Sequence, residues 1–330
     1  MIKIWIRQLV FSRRRCCRFP TETVYGIGAD ATNASAVDKV FAAKNRPHDN
    51  PLIVTVSGPE MVDRFAKVDA RAKKLMQTFW PGSLTLLLPL VDDQVLPKNV
   101  TAGLNTAAFR NPDSKVTRQL ITLLNNPIVG PSANLSTKPS PTTAAHVLHD
   151  MDGRIDAVID DGPSRVGVES TIVDLSVADP AILRPGAVSA DQIAQVIGQK
   201  VIDPTSPIAL SASSAPKAPG MKYRHYAPSK PVVIFDPLDK QELKDRLNET
   251  DAVVAYEQLL YFFGLPAYNS WSLGATPQTA AEELFSALRA FDDRQGIERI
   301  FVQSLAKKGI GEAYMNRLEK SAGGQHLSIQ

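Results

Sequence analysis

Residues 203–220, DPTSPIALSASSAPKAPG, divide the chain in two. The run is rich in Pro, Ser and Ala and has little apolar periodicity, which is linker composition. A chain of 330 residues also exceeds what one hydrophobic core usually serves, so two domains are expected on length alone. The run leads into MKYRHYAP (221–228), which is aromatic and basic. A pure spacer needs neither two tyrosines nor a histidine. The pattern predicts a first domain over 1–202, a linker that serves as a lid over 203–230, and a second domain over 231–330.

The first domain reads as short apolar runs separated by polar loops. Residues 35–44 predict a helix with Val37, Val40 and Phe41 on one face, capped by Asn33 or Ser35 and stopped before Pro47. PLIVTV (51–56) and SLTLLL (83–88) have the length and composition of buried strands, and a helix over 71–79 ends at Pro81-Gly82. Ser140 and Pro141 are read as the cap and first turn of a helix that stops near Gly153. Strands are expected at 156–159, 171–175 and 181–183, and Ser189 with Gln192 forms a capping box. Strands and helices mix without strict alternation, so the fold class is α/β with a twisted mixed sheet. The second domain alternates: strands at 232–235, 252–256 and 297–303, helices near 238–247, 279–290 and 311–321. That order is Rossmann-like, and the lack of a GxGxxG loop assigns it no nucleotide site.

Several function classes drop out. A formal charge of +3 does not by itself require a nucleic-acid partner. No run of eighteen apolar residues predicts a membrane span. Cys16 and Cys17 are adjacent, which suits neither a disulfide nor a zinc site. A reducing compartment follows, most simply the cytoplasm. Residues 1–21 carry six basic and no acidic side chains, a composition shared by transit peptides and by irregular starts.

Walker lysine loops, HExxH and GxSxG are all absent, so the polar loops are the candidates for chemistry. In PTETVYG (20–26), Thr21 and Thr23 lie on one side of an extended segment and Glu22 on the other; capping hydroxyls in a turn are the alternative. In KNRPHDNP (44–51), Lys44 and Arg46 repel unless an anion sits between them, and a triphosphate fits; a solvated helix end is the alternative. Both cations are read as lying on a polar loop whose loss changes folding little. In GPSAN (130–134), Ser132 and Asn134 follow an apolar strand, where α/β proteins bind ligands, unless this is an ordinary turn. Arg110 sits among apolar strand residues and needs an anionic partner, either a ligand or a protein carboxylate.

Taken together these loops resemble the threonylcarbamoyl-AMP synthases, the YrdC-like family, in its long two-domain form. The matching pieces are PTETVYGIGADA (20–31), AAKNRPHDNPLIV (42–54), WPGSLTLLLP (80–89), VTAGLNT (100–106), GPSANLSTKPSPTTAAHV (130–147), VIDDGP (158–163), GVESTIVDLS (167–176) and ILRPG (182–186). PGMKYRHYAP (219–228) and GIGEAYMNRLEKSAGG (309–324) resemble the linker and the end of the second domain.

The resemblance implies an enzyme that condenses L-threonine, bicarbonate and ATP, with Mg2+ held mainly by the ATP phosphates, into threonylcarbamoyl-AMP and pyrophosphate. Other proteins then carry the group to the adenosine beside the anticodon of ANN-decoding tRNAs. By position it implies a KxR…SxN signature at Lys44, Arg46, Ser132 and Asn134, taken as the catalytic set and as ATP contacts. Asn50, Thr106, Ser140, Arg184 and Tyr226 match further ATP contacts. Thr21, Thr55, Arg110 and Ser170 match the threonine site, with Arg110 suited to the carboxylate and Thr55 standing where the family often has His. The start departs from the family pattern: RRRCCR (13–18) occupies the place of a small-residue strand, which is expected to weaken the fold beside Thr21. A non-catalytic double-stranded RNA-binding or tRNA-binding module is the alternative function. A carbamoyl-transfer maturation factor shares the domain, but its zinc fingers have no counterpart here.

Overall fold

The structure, a computed structural model, describes residues 17–202 and 226–327. Cys16, Tyr223, His225 and most of the expected lid lie outside the described residues, as does the basic start. The first domain holds β1 (Cys17–Phe19), β2 (Gly26–Gly28), α1 (Ala34–Lys44), β3 (Ile53–Thr55), α2 (Pro59–Val62), α3 (Ala70–Phe79) and β4 (Leu84–Pro89). There follow α4 (Lys98–Thr101), β5 (Thr106–Arg110), α5 (Lys115–Leu124), β6 (Ile128–Val129), α6 (Ala144–Met151), β7 (Ala157–Val158), β8 (Thr171–Asp174), β9 (Ala181–Arg184) and α7 (Ala190–Ile197). Six strands form one mixed sheet in the order β6-β3-β5-β4-β8-β9, and β2-β1-β7 form a smaller one. The mixed-sheet expectation holds because β3 pairs parallel with β5 while β4 pairs antiparallel with it.

Local chemistry explains the ends of most elements. Asn33 caps α1, accepting from the amide of Ala36, and Asn45 closes it in the left-handed region. The Ser189/Gln192 capping box opens α7 as expected. Ser140 is a correction: α6 starts at Ala144, and Thr143 caps it. Ser140 is fully buried and spends its hydroxyl on Glu169 instead. The strand at Cys17–Phe19 forms despite its arginine, because its backbone pairs with β2 on one side and β7 on the other. Arg18 is fully buried within it. The helix α5 carries no reading from the sequence, although Ser114 caps it and Leu120 and Ile121 are buried.

The second domain holds β10 (Val232–Phe235), α8 (Lys240–Arg246), β11 (Asp251–Ala255), α9 (Glu257–Phe263), β12 (Ser270–Ser272), α10 (Pro277–Asp293), β13 (Arg299–Gln303) and α11 (Ile310–Ala322). Its four strands are all parallel, in the order β10-β13-β11-β12. The two domains pack closely. Val24 and Tyr226 join the apolar core of the second domain, and Val168 packs on Ala281 and Ala313. Arg289 on α10 reaches Asp150 at 2.7 Å and donates to the carbonyls of Pro139 and Ser140. Lys138 meets Asp292 at 3.1 Å.

Gly167 sits at the tightest point of this junction. Its φ is +75°, and a Cβ there would lie 2.3 Å from the Cα of Glu282 on α10. Gly167→Ala is therefore expected to destabilise the protein by about 2 kcal/mol, through strain plus overpacking. Urea unfolding checks this; an unchanged midpoint would show that the domains are not locked together at this point.

Candidate active site

The strand β3, the loop 130–138 and the segment 20–26 converge with the ends of β5 and β9 on one cleft of about 810 Å³, solvent at its mouth included. Thr21, Lys44, Arg46, Thr55, Arg110, Ser132, Asn134, Arg184 and Tyr226 all line it. Residues from both sides of the linker thus meet. Gly130 is required here, since a Cβ would lie 2.2 Å from the Thr55 hydroxyl.

Lys44 departs from the polar-loop expectation. It is the last residue of α1, only 2% exposed, and its ammonium donates to the carbonyls of Ser132 and, at 2.7 Å, Asn134. The KxR and SxN halves of the signature are thereby tied to each other. An ammonium has three protons and two are used. Burial, then the charges of Arg46 and Arg18, hold Lys44 well below the usual lysine range. Arg46 donates to the carbonyl of Pro51 at 3.1 Å, which folds the 44–51 loop back on itself.

Asn134 presents an open acceptor to the cleft. Its amide nitrogen donates to the carbonyls of Leu135 (2.8 Å) and Lys138 (2.7 Å), while its buried Oδ1 has no hydrogen-bond partner among the described residues. The Ser136 hydroxyl, also lining the cleft, is in the same position. Buried acceptors left open cost stability, and they persist where a ligand satisfies them.

Arg110 closes the other end. It donates to Glu22 at 2.7 Å, to the Thr23 hydroxyl at 2.8 Å and to the carbonyl of Gly82 at 3.3 Å. Three of its five N–H donors are therefore taken by protein. Of the two anionic partners left open by the sequence, the protein carboxylate is present, and two donors remain for a ligand. Thr21 bonds Thr23 at 2.9 Å and the carbonyl of Val24 at 2.6 Å.

Four expected residues do not line the cleft. Thr106 opens β5, four residues or roughly 13 Å of strand from Arg110. Asn50 is buried behind Arg46, and Ser140 behind Glu169. Ser170 lies one layer back, where its hydroxyl and carbonyl hold Arg184 at 3.1 and 3.0 Å. Arg184 itself is lowered to about 10 by burial.

Sequence reasoning missed Glu22, Glu169 and Arg317. Alternation along an extended segment sets Glu22 opposite Thr23, but the segment turns and both side chains converge on the Arg110 guanidinium. Glu169 lines the cleft, where it accepts from Arg317 of α11 at 2.8 Å. An arginine on the buried stripe of a helix, flanked by Tyr314 and Leu318, was the available signal.

The fold and cleft define a two-domain α/β protein whose first domain is of the YrdC type. A family model described as telomere recombination, covering Sua5, YciO and YrdC, matches residues 13–186. A second, the C-terminal domain of threonylcarbamoyl-AMP synthase, matches residues 188–323. The threonylcarbamoyl-AMP synthase of Pyrococcus abyssi is 43% identical over 317 residues, covering 94% of this chain and 91% of the relative. That of Bacillus subtilis is 43% identical over 314 residues, covering 93% and 89%. The crystal structure of P. abyssi Sua5 complexed with L-threonine matches with a TM-score of 0.88 and 40% identity, covering 98% of this chain and 96% of that one. The chain belongs to the threonylcarbamoyl-AMP synthase family. These relatives favour the enzyme over the RNA-binding module.

Glu22 and Arg110 are both under a tenth exposed, and Glu22 also accepts from Ser83 (2.9 Å) and the amide of Asp113 (3.1 Å). Glu22→Ala is expected to destabilise the protein by about 3–5 kcal/mol, because it leaves a buried guanidinium uncompensated. Chemical denaturation measures it, and a loss under about 1 kcal/mol would show the pair to be solvent-screened.

Proposed function

We infer that this cleft condenses L-threonine, bicarbonate and ATP to threonylcarbamoyl-AMP and pyrophosphate. The observation that carries the reading is that Lys44, Arg46, Arg110 and Arg184 line one cleft in which Glu169, the one acidic lining residue among the described residues, is paired with Arg317. Such a site awaits anions: a carboxylate at the Arg110 end and a triphosphate among the others. Bicarbonate takes up a proton and loses water to give CO2; the threonine amine adds to that CO2 to give a carbamate and a proton. A carbamate oxygen attacks the α-phosphorus, and the bond to the β-phosphate oxygen breaks as pyrophosphate leaves. The chain needs to position three substrates and stabilise charge, not to supply a nucleophile.

Each residue has a part in this. Arg46, Arg184 and the remaining Lys44 proton take up phosphate charge, and Asn134 Oδ1 accepts from a ligand donor. Arg110 offers its two unused N–H donors to the threonine carboxylate, with Thr21 and Thr55 on the same wall. Tyr226 covers the cleft from the linker side and excludes water from the adenylate. Among the described residues no cluster of His, Cys, Asp and Glu could hold a metal ion, and the carboxylate of Glu169 is spent on Arg317. Mg2+, where bound, would be held mainly by the ATP phosphates and would offset their charge. No helix of the described residues is long and apolar enough to cross a membrane. The product passes, in the cytoplasm, to proteins that transfer its threonylcarbamoyl group to tRNA.

Two measurements test this. Pyrophosphate release from ATP is expected to require both threonine and bicarbonate; release independent of either would overturn the reading. The second concerns Lys44, whose proton is loosened by burial and by Arg46 and Arg18. A phosphate beside it favours the charged form. ATP binding is then expected to take up a proton above the lowered value, with affinity falling as pH rises toward the usual lysine range. Calorimetry in two alkaline buffers of different ionisation enthalpy reads the uptake directly, and identical heats would remove Lys44 from the phosphate site.

A further inference from the structure

A carboxylate facing a polyanion site is a liability, yet Glu169 lines this cleft. Two elements of the first domain and one of the second surround it. The Ser140 hydroxyl donates to Oε1 at 2.5 Å. Arg317 donates to Oε2 at 2.8 Å and to the Glu169 carbonyl at 3.4 Å. Arg184, from β9, adds its charge from the cleft wall. Burial opposes ionisation of Glu169, but Arg317 and then Arg184 hold its carboxyl at about 2. It is therefore a fixed negative charge at neutral pH.

Besides Glu169, Arg317 donates to Asn316 Oδ1 of its own helix at 2.9 Å and is hydrogen-bonded to the Tyr226 side chain. It is fully buried, and its guanidinium lies 5.7 Å from the centre of the Tyr226 ring. It does not line the cleft, so it stands behind Glu169 as seen by a ligand. Arg184 does line the cleft, held by Ser170. Arg184 donates to Ser170 and acts on Glu169 through charge alone. A phosphate approaching Arg184 is repelled by the Glu169 carboxylate beside it, and the pair formed with Arg317 offsets that repulsion from behind.

On the strength of the synthase reading, we propose that Arg317 of the C-terminal domain is a positioning residue of the first domain's site: it neutralises and orients Glu169 and so offsets the negative charge that would oppose an ATP phosphate at Arg184. The second domain then completes the electrostatics of a cleft that it does not line with α11.

The test is ATP and threonine affinity of the full chain by calorimetry, for wild type, Arg317→Met, Arg317→Lys and the double variant Arg317→Met/Glu169→Gln. Arg317→Met is expected to weaken ATP binding by about tenfold or more and to move threonine affinity less than about twofold. Arg317→Lys is expected to fall between wild type and Met, since it keeps the charge and loses the fork. The double variant is the discriminating one. With the stranded charge removed, ATP affinity is expected to return to within about threefold of wild type, whereas a merely structural arginine predicts further loss. Unchanged ATP affinity in Arg317→Met, or a double variant as weak as the single, would overturn the proposal. If Arg317→Met does not fold, the double variant still decides: folding and ATP binding support the proposal, and failure of both overturns it. A wild type that binds ATP but forms no threonine-dependent and bicarbonate-dependent pyrophosphate would sink the synthase reading alone, and the affinity pattern would still be scored.

Discussion

Buried arginine–carboxylate pairs hold the walls of the cleft, and their partners come from distant parts of the chain. Arg110 and Glu22 are 88 residues apart, Arg289 and Asp150 139, and Arg317 and Glu169 148. Each pair is costly to desolvate and costlier still to break. Each also fixes a different surface of the site. The first sets the end that offers Arg110, the second pins the 137–140 loop against α10, and the third disarms the carboxylate inside the cleft. Loss of one partner therefore changes the geometry of the site as well as stability.

The second domain belongs to the site rather than trailing behind it. Tyr226 shows the coupling best. Its backbone carbonyl accepts from Ser321 at 2.8 Å, the next amide donates to Thr137 at 2.9 Å, and its ring packs 5.3 Å from Phe285. These contacts hold a tyrosine at a φ of +66°, a conformation that costs a non-glycine residue of order 1–3 kcal/mol. Contacts from both domains over-determine that position. Burial and the neighbouring Glu169 also raise its phenol above the usual tyrosine range.

Local patterns carried much of the architecture. The apolar runs at 51–56 and 83–88 became β3 and β4, the 35–44 periodicity became α1, and the downstream alternation became an all-parallel sheet. Where local reasoning failed, a tertiary partner had outbid a local one. Ser140 has the sequence context of a helix cap, yet the carboxylate of Glu169 claims its hydroxyl and leaves capping to Thr143. Lys44 has the context of a solvated helix end, yet two carbonyls from a loop about ninety residues on draw it inward.

The sequence by itself determined the α/β class, the two-domain family and the cations of the cleft. These follow from composition, from periodicity and from short motifs, all of which are properties of neighbouring residues. Only the tertiary structure decided which charges are paired and which remain for a ligand. It gave Arg110 to Glu22 in part, tied Lys44 to the Ser132–Asn134 loop, left Asn134 Oδ1 open, and brought Arg317 to Glu169. Pairing depends on distance and burial in space, and a charge far along the chain leaves no local trace of the partner it will meet.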